Sequence, residues 1–207
     1  MSYGETYLAT YYWAYYGLQY LLNVIENAAS DVNMSVNTKK TVCMVFNPCN
    51  RRKIVCKSFP AFSLAGCNLT FVEHFKYLGH IIYNSTSDDS DISREIKCLF
   101  VRANLLCRRF HRCTLQVKLR LFRAFCICFY NTALWYNYTA GALSKFIACY
   151  NKCLKSFFGY YKYSSVTSML LELGLPTCST LLHNYRVGFL SILVGCDNSL
   201  VQCLLLR

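Results

Sequence analysis

The sequence predicts an α+β fold in two parts: a helix with short antiparallel strands and a hairpin over residues 1–84, then an all-α region over residues 85–207. Three observations lead there. Leu18, Leu21, Leu22, Ile25, Ala28, Ala29 and Val32 recur at three and four, the period of a helix with its apolar face inward. Short strand-like runs separated by turn residues fill 42–83. Beyond the polar, acidic stretch 85–91, the apolar runs have helical spacing.

Residues 1–16, with Tyr at 3, 7, 11, 12, 15 and 16, show no clean period and predict no element. From Gly17 a helix is expected to about Asn33. Asn37-Thr38-Lys39-Lys40-Thr41 then turns the chain into a strand over 42–46, closed by Asn47-Pro48 and followed by a basic loop, Arg51-Arg52-Lys53. Strands over 62–64 and 69–71 flank Ala65-Gly66-Cys67-Asn68, which reads as a hairpin. The last strand-like run, 75–82, is broken by Gly79, and a glycine inside a strand marks a bulge or the close approach of another backbone.

Asp88, Asp89 and Asp91 precede a helix, where capping and compensation of the helix dipole account for them. On that helix Ile92, Ile96, Leu99, Phe100, Ala103, Leu106, Cys107 and Phe110 share one face, and Arg94, Lys97 and Arg108 project from the opposite one. Further helices are expected at 115–136, 141–158 and 180–194, set apart by Gly141, Gly159 and Gly174-Leu175-Pro176.

Composition bounds the function. With 55% hydrophobic and 15% charged residues, 17 Tyr and 14 Phe, the chain has ample apolar surface to bury, which excludes general disorder. A net charge of +12 favours a polyanionic partner. The 14 Cys contain no C-x-x-C, and Cys107, His111 and Cys113 form the only close Cys/His group, so no metal site is expected and reduced, intracellular thiols are. Windows 6–25, 124–144 and 187–206 are long enough to span a bilayer, but the polar residues within them fit buried helices better. No G-x-S-x-G, P-loop or H-E-x-x-H occurs, so the residues alone show no complete catalytic constellation.

The ordered set Asn37-x-x-Lys40-Thr41, Phe62-x-Leu64-x-Gly66 with Leu69, and Phe75-Lys76-Tyr77-Leu78-Gly79, ahead of a basic helical region, resembles the reverse transcriptase of non-LTR (LINE-type) retrotransposons. The likeness is strongest from Gly17 to Gly188. It implies a partial polymerase palm over 1–84 and a thumb-like helical region over 85–207. The intact family carries out RNA-directed DNA synthesis with Mg²⁺. Lys40 would stand near the incoming nucleotide, where a cation can stabilise the leaving pyrophosphate. Tyr77, Leu78 and Gly79 would form the primer grip, and Arg94, Lys97 and Arg108 would meet nucleic acid.

The N-terminus departs from the family pattern. Where the family carries Tyr-Ala-Asp-Asp, this chain has Tyr3-Gly4-Glu5-Thr6, and Thr6 cannot supply a metal-binding charge. The expectation is therefore a C-terminal fragment that is inactive alone, with no cofactor and no small-molecule substrate of its own. Its partner would be nucleic acid, an RNA template or DNA primer. A non-catalytic nucleic-acid-binding module and a small multi-pass membrane protein are the alternatives. Between 94 and 123 nine Lys and Arg face Glu95 as the lone acid, which predicts salt-sensitive binding through that stretch.

Overall fold

The computed structural model describes the backbone of residues 3–47 and 59–205, with side chains over 15–47 and 59–203. The basic triplet Arg51-Arg52-Lys53 and the side chains of Tyr3, Glu5 and Thr6 lie outside the described residues. The fold is helix-rich α+β, with a few short strands. It divides into two units: Met1–Phe75 with Tyr83–Thr86, and Lys76–Ile82 with Ser87–Arg207.

In the first unit α1 (Tyr3–Asp31) takes in the tyrosine-rich residues for which no element was expected. Those residues contain no proline, and extending an existing helix costs far less than nucleating one, so a weak pattern upstream suffices. The inward face of α1 also differs from the expected one. Tyr15, Gln19, Leu22 and Glu26 are half-buried, whereas Leu18, Leu21, Ile25 and Val32 are exposed. Polar contacts fix this rotation. The Tyr15 hydroxyl donates to the Ala61 carbonyl, Gln19 bonds both N–H and C=O of Ser63, and Glu26 accepts from the Ala65 N–H at 3.0 Å.

Beside α1 lie β1 (Val42–Cys43), β2 (Ser63–Leu64), β3 (Cys67–Asn68) and β4 (Thr70–Phe71). The hairpin is tighter than expected. β2 pairs antiparallel with β3 around Ala65-Gly66, whose φ of 49° and 71° mark a two-residue turn of the kind that matches strand twist. The segment expected as the second hairpin strand, 69–71, instead supplies β4, which pairs with β1 in parallel. Phe62, Leu64 and Leu69 form the small core here, with Tyr15, Leu22, Val36 and Cys43 against it.

The chain passes from one unit to the other through β5 (His74–Tyr77) and β6 (His80–Tyr83). Gly79 does not interrupt a strand; with Leu78 it forms the turn, at φ 84° and 46°.

The second unit holds α2 (Asp89–Phe110), α3 (Leu115–Phe125), α4 (Ala140–Phe158), α5 (Val166–Leu173), α6 (Cys178–Val194) and α7 (Ser199–Leu205). Ile92, Leu99, Ala103 and Leu106 of α2 enter a core with Phe122, Phe146, Tyr150, Leu154 and Met169. Thr139, Ser165 and Thr177 cap α4, α5 and α6 by accepting from N–H groups three residues on, and Gly159 and Gly174 end α4 and α5 in the left-handed conformation. The helix expected over 115–136 stops at Phe125. From Cys126 the chain runs irregularly, with one 3-10 turn at Thr132–Leu134, and buries Ile127, Phe129 and Trp135 in the core of this unit. Among the described residues no helix is long and apolar enough to cross a membrane.

Candidate nucleic-acid interface

Two acids sit on the apolar face of α2. Asp91 and Glu95 have no exposed surface, flanked by Ile92 and Leu99, so each needs a compensating partner. Asp91 is bound through both oxygens by Arg94, at 2.7 Å from Nε and 3.2 Å from Nη2. It also accepts from Trp135 Nε1 at 2.9 Å and from the Ile81 N–H at 3.0 Å. Burial pushes the Asp91 carboxyl up, but these hydrogen bonds and the Arg94 charge outweigh it and hold the group below the usual carboxylate range. Glu95 pairs with Arg94 Nη1 at 3.1 Å and with Arg102 Nη2.

The neighbouring aspartates do not serve as caps. Asp88 occupies the N-cap position of α2 yet makes no bond to the helix there through its side chain; its Oδ2 accepts from the N–H groups of Tyr136 and Asn137, both at 2.8 Å. Asp89 accepts from the Thr139 N–H at 2.8 Å. Together they fasten the irregular segment to the start of α2, a long-range use that spacing along the sequence does not show.

Asp91 anchors the β5–β6 turn as well. Besides Ile81 it has His80 Nδ1 at 3.1 Å, though off hydrogen-bond geometry. The tip beyond carries Tyr77 and Leu78, which are 58% and 70% exposed. Leu78 holds a left-handed backbone that suits glycine or asparagine, and no burial of its side chain repays that. A Cβ on Gly79 would come within 3.0 Å of Tyr130 Cε1, so the close approach expected of this glycine is to a side chain of its own unit.

The nine basic residues of 94–123 divide into two sets. Arg94 and Arg102 are bound to Asp91 and Glu95, Lys118 lies 5.7 Å from the Phe157 ring centre, and Arg123 donates to the Gly174 carbonyl. Arg94, expected to be free for phosphate, is turned inward because Asp91 and Glu95 would otherwise be buried without a counter-charge. Lys97, Arg108, Arg109, Arg112 and Arg120 are exposed, as is Arg123, and among the described residues none of the six makes an ion pair. Lys97, Val101, Asn104 and Arg108 follow one another along one exposed face of α2.

Lys40 belongs to the first unit. It is exposed in a turn where its N–H donates to Asn37 Oδ1 at 3.2 Å and the Thr41 hydroxyl donates to the Asn37 carbonyl at 2.9 Å, so Asn37 and Thr41 shape the loop that presents it. Tyr3, Gly4, Glu5 and Thr6 have helical backbone, within α1. Among the described residues no three His, Cys, Asp or Glu side chains are grouped to hold a metal ion. Comparison of the chain with protein-family models, curated proteins and solved structures finds no match.

Proposed function

We propose that the chain holds nucleic acid, as the palm-edge and thumb portion of a polymerase resembling LINE-type reverse transcriptases, and does not itself catalyse synthesis. The observation that carries the reading is the sorting of the basic residues. Two of nine are paired with interior carboxylates, Lys118 lies against a ring, and six stand exposed on the same unit as the β5–β6 tip, Arg123 among them with one bond to a carbonyl. Exposed cations without acidic partners are the electrostatic footprint of a phosphate backbone, and an exposed Tyr beside a strained turn offers a surface for a sugar or base. Backbone strain persists where the surroundings over-determine it, and the Asp91 anchor supplies that here.

The test is anisotropy of a labelled primer–template duplex against the purified chain at graded salt. Binding at low salt that weakens steeply as salt rises is expected. A folded chain that does not bind at about 50 mM salt overturns the reading. With Mg²⁺ and deoxynucleotides added, no primer extension is expected, because Thr6 stands where a metal-binding aspartate would have to be.

A further inference from the structure

A small pocket of the second unit lies apart from the exposed cations of α2 and α3 in its lining. About 220 Å³ in volume, it is walled by Trp135, Tyr138, Leu143 and Leu182 and carries four polar groups: Thr132, Ser179, His183 and Arg186. Three of those polar residues share one face of α6, since 179, 183 and 186 are spaced four and three apart. No carboxylate lines the pocket.

Thr132 is 94% buried by the measure of its 6% exposure, and its hydroxyl has no hydrogen-bond partner among the described residues. Buried hydroxyls are nearly always paired, because leaving one unsatisfied forfeits its hydration for nothing. An orphan hydroxyl lining a pocket, opposite two exposed cationic or donor side chains, is an arrangement that a polar ligand completes. Arg186 is the strongest of these groups. Its guanidinium lies over the ring of Tyr136, 5.7 Å from the centre, and no ion pair or hydrogen bond among the described residues occupies it.

The chemistry of the lining selects the ligand. Donors without a carboxylate favour an anion, and a planar guanidinium matches a phosphate through paired hydrogen bonds. Aromatic and aliphatic walls favour a ring. The volume falls below the roughly 300 Å³ at which pockets for drug-sized molecules begin, so the enclosed space admits one base, while a phosphate and its sugar lie at the open side beside the exposed His183 and Arg186. We infer that this pocket binds one nucleotide monophosphate unit, with the phosphate at His183 and Arg186 and a polar edge of the ring or sugar on the Thr132 hydroxyl. The choice of a nucleotide rests on the nucleic-acid reading above; the preference for a ring-bearing anion does not. The unit comes either from an unpaired position of a bound strand or from a free nucleotide.

Titration calorimetry on the full chain separates these. Adenosine 5′-monophosphate is expected to bind, with inorganic phosphate and adenosine each at least about tenfold weaker. Arg186→Gln should weaken adenosine monophosphate about tenfold or more, the usual size of a charged hydrogen bond lost. Thr132→Val should weaken it about threefold to tenfold while leaving the melting temperature of the free chain equal or higher, because the substitution removes an unsatisfied hydroxyl. That pairing excludes a merely structural role for Thr132. Lys97→Gln with Arg108→Gln should leave the mononucleotide affinity unchanged and weaken a single-stranded oligonucleotide. Competition between oligonucleotide and mononucleotide identifies a strand unit as the source; absence of competition identifies a free nucleotide. Equal mononucleotide affinity in the parent chain, Arg186→Gln and Thr132→Val overturns the inference, and so does no binding at all. Mononucleotide binding in a chain that ignores every oligonucleotide would sink the nucleic-acid reading and leave the pocket standing.

Discussion

Trp135 Nε1 donates to Asp91 Oδ2 at 2.9 Å, joining two buried side chains that are 44 positions apart. The same carboxylate holds Arg94 and the Ile81 N–H, so one residue ties α2, the irregular segment before α4 and the β5–β6 turn together. A buried carboxylate is an expensive anchor unless all its bonds are made, and here they are made by groups from three parts of the chain.

Breaking that anchor should therefore be costly. Asp91→Ala leaves Arg94 with Glu95 as its remaining acidic partner and strips Trp135 of its acceptor, and the expected loss is about 3–5 kcal/mol, read from the urea midpoint. Asp91 has its carboxyl held low in the folded chain, so its contribution is fully present above the unfolded value near about 3.9 and is lost as pH falls through the lower, folded value. The gap between parent and Asp91→Ala should then close only in acid, below about pH 4. A gap that closes already near neutral pH would show that another group sets it.

The β5–β6 turn gives two substitutions of opposite sign. Gly79→Ala places a Cβ at φ 84° and 3.0 Å from the Tyr130 ring. Tyr130 is half-exposed and can swing aside, so the backbone term dominates, at about 1–2 kcal/mol of destabilisation. Leu78→Asn, in an exposed left-handed position that asparagine tolerates, should be neutral or stabilising by up to about 1 kcal/mol. If Leu78 serves the tip rather than the fold, nucleic-acid affinity falls while stability does not. Stability falling in Leu78→Asn would remove the argument from strain.

Cysteine reactivity offers an independent check of the core. Burial pushes the Cys126 and Cys178 thiols up to about 12, and a bond with Cys149 together with burial pushes Cys153 up as well. Alkylation requires thiolate, so maleimide at pH 7 should label the exposed Cys67 and Cys128 within minutes and spare those three until urea unfolds the chain. Labelling of Cys153 at the same rate as Cys128 would contradict the packing of α2 against α4.

What could be read from the sequence and what could not follows from where each constraint originates. The apolar stripe of α2 is local, and Ile92, Leu99, Ala103 and Leu106 are buried as their spacing requires. The segment after Phe125 is rich in apolar residues too, but Ile127, Phe129 and Trp135 reach the core from irregular backbone, and periodicity cannot distinguish a short apolar run of that kind from a helix. The rotation of α1 depends on Gln19 and Glu26 finding backbone partners 44 and 39 positions away. The role of Arg94 had a local sign that was available: Asp91 and Glu95 lie four apart on the apolar side of α2, and two acids on such a face call for a cation. Lys97 and Arg108 lie on the face opposite the apolar stripe, and their exposure follows from that placement.

Paired and exposed basic residues should differ in what their removal does to binding. Each phosphate neutralised on a duplex contributes a slope of about −0.9 in log K against log salt, so six exposed cations bound the slope at about −5.4. Lys97→Gln with Arg108→Gln removes two neighbours on one face of α2 and should flatten the slope by about 1.8, weakening all duplex sequences alike. Arg94→Gln should behave otherwise. It removes the bidentate partner of Asp91 and lowers stability, but where the chain remains folded the salt slope should equal the parent's. Arg109, Arg112, Arg120 and Arg123 supply the remainder, so charge reversal of all four in the Lys97→Gln, Arg108→Gln background should abolish binding at physiological salt. A slope indifferent to Lys97 and Arg108, in a chain shown to be folded, would assign the exposed face of α2 to solvent; a slope flattened by Arg94→Gln alone would mean that the Asp91 pair opens when nucleic acid binds.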